Sequence, residues 1–343
     1  MSHCNITERD TSIDIARGLA IILVVVGHAG LKDYYWNIIY FFHTPLFFFV
    51  SGCFLRPLES FNFYQYVQKL RWNSLYKKFV IYATAFLILS PIFFKLGICN
   101  TPVESIRDFF QRFVVILRFR ASTIDLLNTF WFMPVLFFTH AISLLIATIC
   151  KGKNICILYM SILLYFIGRI CFINGYKEPY DFSKILYFTG FYLLGYFIYP
   201  YLKMIKEKKF IPIISFCVIV YFSLIPHLVF ELSYLYYLAA VCGICLVLYV
   251  SNQFKGKMAL YFSYVGKQTL IIFIFHTIIM KVTEVALSGL NILPYESGWS
   301  GANQISIYWP IFSIVGVIGP LLLIRANKYI KGIFINERFI KHN

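Results

Sequence analysis

"DIARGLAIILVVVGHAG", residues 14–30, is almost wholly apolar, yet it carries an Asp, an Arg and a His. A helix accounts for the placement. Arg17 and His28 are eleven residues apart, about three turns plus 20° at 100° per residue, so both face the same way. The rise between them is roughly 16 Å. Asp14 stands three residues before Arg17, where the two can pair along the helix. Ionisable groups in an apolar helix are costly and usually line a cavity or a pathway. Two readings remain open. In one, a fixed cation below a titratable imidazole receives a long ligand with an anionic head and a reactive far end. In the other, Arg17 snorkels to an interface and His28 is hydrogen-bonded within a bundle.

Composition sets the surroundings. The 343 residues are 60% hydrophobic and only 13% charged, with mean hydropathy +0.73; soluble chains average about 25% charged. This is the composition of an integral membrane protein. The 37 Phe and 26 Tyr suit membrane interfaces and a lipid-packed bundle. Residues 1–12 are polar and no small-residue cleavage site follows, so the first apolar run is expected to stay as an anchor.

Apolar runs counted against the roughly 20 residues that cross a bilayer give about ten spans: 13–30, 35–55, 79–97, 131–150, 155–173, 185–202, 210–228, 233–250, 259–286 and 305–325. The expected fold is an all-α polytopic helical bundle, residues 1–343 forming one integral-membrane domain, because lipid leaves no backbone group unpaired. No internal repeat or low-complexity tract divides the chain. With the N-terminus in the cytoplasm, 21 of the 31 basic residues fall inside and eight outside. Arg169 and Lys281 lie within spans. The bias places both termini inside, with a cytoplasmic tail over 326–343. The net charge of +16 then reads as topology plus attraction to anionic lipid, and nucleic acid is not expected as a partner. Residues 98–130 include "VESIRDFFQRFVVILRF" (103–119), with apolar residues at helical spacing between charges. An amphipathic, extracytoplasmic interfacial helix is expected there.

The opening stretch, with Ile13 before it, resembles the Arg–ten residues–His pattern of acyltransferase family 3. "FFHTPLFFFVSGCFL" (41–55), "FWFMPVLF" (130–137) and "GKQTLIIFIFH" (266–276) resemble three later motifs of that family, in the same order. Ile13 and Met133 stand where the family has Leu. "HTPLFFFVSG" is most similar to the fucose 4-O-acetylase-like, polysaccharide O-acetyltransferase branch. The resemblance implies a multi-pass cell (inner) membrane enzyme that moves an acyl group, usually acetyl from acetyl-CoA, to a hydroxyl of a surface or lipid-linked glycan. It carries the family's catalytic Arg and His onto Arg17 and His28. The family's Arg-x-x-Arg pair is absent: "QKLRWNSLYKK" (68–78) holds one Arg. Lys69, Arg71, Lys77 and Lys78 are the expected further contacts to the coenzyme. Acetyl-CoA is then a substrate, and no cofactor is permanently bound.

The chemistry is consistent with the helical register. Coenzyme phosphates suit a basic cytoplasmic mouth, and the extended arm can carry the thioester toward His28. His28 is either the general base on the acceptor hydroxyl or a transient acyl carrier. Asp14 is roughly 21 Å from it along the helix, too far to orient it; Glu104, Asp108, Asp125 and Glu284 are candidate partners without a motif. His43, Trp131 and His276 are candidate acceptor contacts, against plain interfacial or structural roles. His140 and His227 read as structural. Cys242 and Cys245, in an apolar run, read as packing residues, and the nine Cys show no zinc spacing. The rival reading is a transporter or glycan exporter, in which Pro45 and Pro134 would break helices.

Overall fold

The computed structural model describes residues 11–31, 33–121, 123–176, 180–224, 233–290 and 307–340, with side chains left out at 33–34, 36–37, 233–234 and 327–340. Arg9, Lys32, Lys177, His227 and Lys341 lie outside it. Every regular element among the described residues is a helix. The helices are α1 (Thr11–His28), α2 (Asp33–Cys53), α3 (Phe63–Lys69), α4 (Lys77–Lys95), α5 (Ile106–Leu117), α6 (Phe132–Ile149), α7 (Asn154–Ile173), α8 (Phe182–Ile198), α9 (Leu202–Glu207), α10 (Phe210–Ser223), α11 (Ser233–Gln253), α12 (Gly256–Lys267), α13 (Thr269–Gly289) and α14 (Trp309–Ile340).

Eight helical segments among the described residues are long and apolar enough to cross a membrane, and Ile38–Cys53 and Phe210–Ser223 are shorter apolar helices. Exposed Ile, Leu and Phe along α4, α7, α10 and α14 form outward apolar faces. Such faces are stable in lipid, where the backbone groups behind them are already paired.

α1 is the central element. It packs against α2, α11, α12, α13 and α14, and Ile13, Ala16, Ala20, Ile21 and Val25 along it are at most 1% exposed. Its crossing with α12 is close. A Cβ on Gly266 would collide with the Asp14 carbonyl, and one on Gly18 with that of Phe262. Small residues permit this approach of two backbones.

Three of the sequence-based segments are divided or extended differently, and the two prolines leave their helices intact. The run 259–286 is two helices, with Gln268 between them out of helical geometry; α13 alone is long enough to span. Residues 98–130 are a loop, α5, and a 3₁₀ turn over Asp125–Trp131. α5 starts at Ser105, whose hydroxyl accepts from the Asp108 amide, an N-cap that satisfies one orphan donor. The expected tail from 326 is helical through Ile340. Pro45 and Pro134 break nothing: α2 continues through Pro45, and Pro134 lies in the first turn of α6, where its missing N–H costs little.

Candidate active site

One cavity of about 370 Å³ runs along α1. α1 gives it Arg17, Ile21, Val24 and His28, spaced i, i+4, i+7 and i+11, a single helical face. α2 gives Tyr40, His43, Thr44, Phe47 and Ser51 with the same spacing. Gly27 of α1 abuts the Tyr40 ring, which places His28 at the Tyr40–His43 end. α12 and α13 add Lys267, Thr269, Leu270 and Phe273. Gly266 lies against the Asp14 backbone, so Lys267 enters at the Arg17 end. Trp131, Phe132 and Met133 close another wall.

The segment between α3 and α4 supplies the remaining cations. A π-helical turn over Trp72–Tyr76 joins them, and Arg71, Ser74, Leu75 and Lys78 line the cavity. His140 holds this segment in place: its Nε2 contacts the Lys69 carbonyl at 3.1 Å and its Nδ1 the Tyr192 hydroxyl at 2.8 Å. His140 thus ties α6, α8 and the chain entering the π turn together.

Of the residues singled out in the sequence, Arg17, His28, His43, Arg71, Lys78 and Trp131 come together around this cavity. Lys69 does not. It is exposed, and its Nζ donates to the carbonyls of Arg56 (3.1 Å) and Pro57 (3.3 Å). Lys77 is exposed and outside the lining. His276 is also outside it, fully buried behind His28, with the two rings 5.4 Å apart. Its Nδ1–H donates back to the carbonyls of Ile272 (3.1 Å) and Phe273 (2.8 Å). Among the described residues its Nε2 has no hydrogen-bond partner.

His43 is satisfied locally. Nδ1 donates to the Ile39 carbonyl at 2.8 Å and Nε2 accepts from the Thr44 hydroxyl at 2.9 Å. It walls the cavity with its ring, against Tyr40 at 4.5 Å. The Trp131 ring has Lys184 Nζ 4.7 Å from its centroid and Phe188 stacked 6.1 Å away. Thr129, beside it in the lining, has a buried hydroxyl with no hydrogen-bond partner among the described residues.

The four carboxylates considered for His28 are occupied or remote. Asp125 accepts from the Asn100 amide (2.9 Å), the Cys99 thiol (2.8 Å) and the Leu126 amide (3.0 Å), and so closes a loop. Asp108 pairs with Arg112 at 2.8 Å. Glu284 is buried in a 2.7 Å pair with Lys281. Glu104 is exposed.

The reading of the sequence missed Lys267, Ser74, Tyr40, Thr44, Ser51 and Thr129. Lys267 was visible in "GKQT" and counted only toward topology. The α2 face was readable by the same spacing that picked out Arg17 and His28. Among the described residues no cluster of His, Cys, Asp or Glu has the makings of a metal site.

No curated protein and no solved structure matches the chain. A family model described as an acyltransferase domain matches residues 10–325, which takes in α1 through most of the apolar part of α14 and every residue of the cavity. The chain belongs to acyltransferase family 3 and is a multi-pass membrane acyltransferase.

Proposed function

We propose that the chain moves an acetyl group from cytoplasmic acetyl-CoA to a hydroxyl of a surface or lipid-linked glycan, in the inner cell membrane. One observation carries the reading. A single cavity joins Arg17, Arg71, Lys78 and Lys267 to His28 along one face of α1. The cations suit the coenzyme's phosphates, with guanidinium forks at Arg17 and Arg71. The volume falls in the usual range for ligand sites and suits the extended arm, leaving the nucleotide at the basic mouth. The roughly 16 Å between Arg17 and His28 then brings the thioester to the imidazole.

In this reading His28 takes the proton from the acceptor hydroxyl. The oxygen attacks the thioester carbonyl, the carbon–sulfur bond breaks, and the proton passes from His28 to the departing thiolate. The ester and free coenzyme leave. Among the described residues no carboxylate lines the cavity, and in this reading His276 is the group that orients His28. Its Nδ1–H is committed to backbone, so its Nε2 can only accept, and an N–H of His28 turned toward it leaves the other nitrogen as the base. Trp131 offers a face to a sugar ring and Thr129 a hydroxyl to it. The exporter reading gains nothing from Pro45 and Pro134, since both helices continue.

The test is transfer itself. Purified protein in lipid nanodiscs, given acetyl-CoA labelled in the acetyl group and a lipid-linked saccharide extract of its host, should release free coenzyme thiol and label the saccharide. An extract that stays unlabelled, with no thiol released, would count against acetyl transfer.

A further inference from the structure

Charged side chains inside the bundle find partners, with one exception among the described residues. Lys281 pairs with Glu284, and Lys206 donates to the Ser12 hydroxyl. Arg169 of α7 is 6% exposed, and its Nε and Nη2 have no hydrogen-bond partner. Around its guanidinium are the rings of Phe172 (5.2 Å), Tyr187 (5.9 Å) and Tyr236 (5.7 Å). The Tyr236 hydroxyl donates to the Tyr40 carbonyl at 3.0 Å. Aromatic faces attract a guanidinium, but they leave its N–H donors unfilled. Arg does not discharge by losing a proton. A buried guanidinium with open donors is a site built for an anion.

Its position assigns that anion to the end of the bundle where His28 lies. Arg169 lies four residues before the end of α7, Tyr187 is in the second turn of α8 and Tyr236 in the first turn of α11. All are at the end of the bundle where α2 begins and α1 ends in His28. The cage also shares walls with the cavity. Tyr236 holds the backbone of Tyr40, a lining residue. Tyr187 packs on Phe188, which stacks on Trp131. The coenzyme's cations gather at the opposite end.

We propose that Arg169 is the anion-recognition point for the acceptor, taking a carboxylate or phosphate in its planar fork beside the transfer cavity. A sugar acid and the phosphate of a lipid carrier share that chemistry. The inference rests on the acyl-transfer reading for the word acceptor.

Thermal unfolding in detergent separates the possibilities. Saturating coenzyme A first fills the cation end; a coenzyme that leaves the parent's Tm unchanged counts against the donor reading and not against Arg169. Sodium glucuronate or phosphate is then added, with chloride at equal ionic strength as reference. One of the two should raise the Tm of the parent and not of Arg169→Met. Glucuronate would identify a sugar carboxylate, and phosphate a lipid-linked phosphate. In turnover, Arg169→Met should raise the acceptor KM roughly tenfold or more with the acetyl-CoA KM unchanged. Arg169→Lys, which keeps the charge and the fold but not the fork, should show a reduced increment and serves if the Met variant does not fold. No increment in the parent, or equal increments in parent and variant, would overturn the assignment.

Discussion

The imidazole rings of His28 and His276 lie 5.4 Å apart and tilted by 44°, one at the end of α1 and the other in the second turn of α13. The His276 Nδ1–H is tied to backbone carbonyls, and among the described residues its Nε2 has no hydrogen-bond partner. A hydrogen-bond acceptor is thus held behind the residue that the mechanism uses as a base. His276→Leu should lower kcat by roughly 10- to 100-fold, the worth of a hydrogen bond to a group that becomes charged, about 1.5–3 kcal/mol. KM for acetyl-CoA should stay put. His276→Asn, which can still accept, should recover part of the rate. A change confined to thermal stability would leave His276 a packing residue.

The cation end gives a separable expectation. Arg17→Ala and Lys267→Ala should each weaken coenzyme A binding, by roughly 10- to 100-fold if one charge-assisted hydrogen bond is lost. Arg17→Lys should recover only in part, because the fork is gone. Lys69→Ala and Lys77→Ala should bind coenzyme as the parent does. Calorimetric titration in detergent checks all five, and parent-like affinity in Arg17→Ala would remove that residue from the site.

How far the site was legible follows from helical arithmetic. Arg17 and His28 share a face in any straight helix, so their meeting in one cavity could be read from spacing. Which of Lys69, Arg71, Lys77 and Lys78 line the cavity depends on the break after α3 at Leu70 and on the π turn over Trp72–Tyr76, and a count at 100° per residue gives neither. The break at Gln268 has a signal in "GKQT" (266–269), a Gly and a Lys of the kind that ends helices, but the long apolar runs on either side outweigh it in a span count. The close crossing of α1 and α12 at Gly18 and Gly266 accompanies it, and long-range packing of that kind is not written in local pattern. The place of His276 behind His28 is likewise a tertiary fact.

That crossing makes its own expectation. A methyl at Gly266 has no room against the Asp14 carbonyl. Gly266→Ala should destabilise by about 1–3 kcal/mol, the usual cost of overpacking, and raise the acetyl-CoA KM by displacing Lys267. Gly289→Ala, with open space around it, is the control. Equal melting of the two variants would contradict the crossing.

The buried pair of Lys281 and Glu284, each side chain 9% exposed, is expected to behave as a unit. Glu284→Ala alone leaves a buried ammonium, at a cost of about 3–5 kcal/mol. Lys281→Met with Glu284→Leu should recover most of it, since an apolar pair of similar volume is often tolerated. Thermal unfolding of the three proteins decides; a double variant no better than the single would mean the carboxylate serves something besides Lys281.

Orientation is tested by reporter fusions. The basic bias expects cytoplasmic signals after Lys209 and after Lys331. An external signal at Lys331 would rule out the even number of spans.

The central claim is that His28 moves the proton. The decisive measurement is the single-turnover rate of acetyl transfer in nanodiscs at saturating acetyl-CoA, for the parent and His28→Gln. Gln keeps a hydrogen-bonding group of similar reach but takes up no proton. The expected result is a rate about 10²–10⁴-fold lower with coenzyme affinity nearly unchanged, because the proposed reading puts the phosphates three turns away, at Arg17. A His28→Gln protein that transfers acetyl at the parent rate would make His28 a structural hydrogen-bonder and contradict the mechanism.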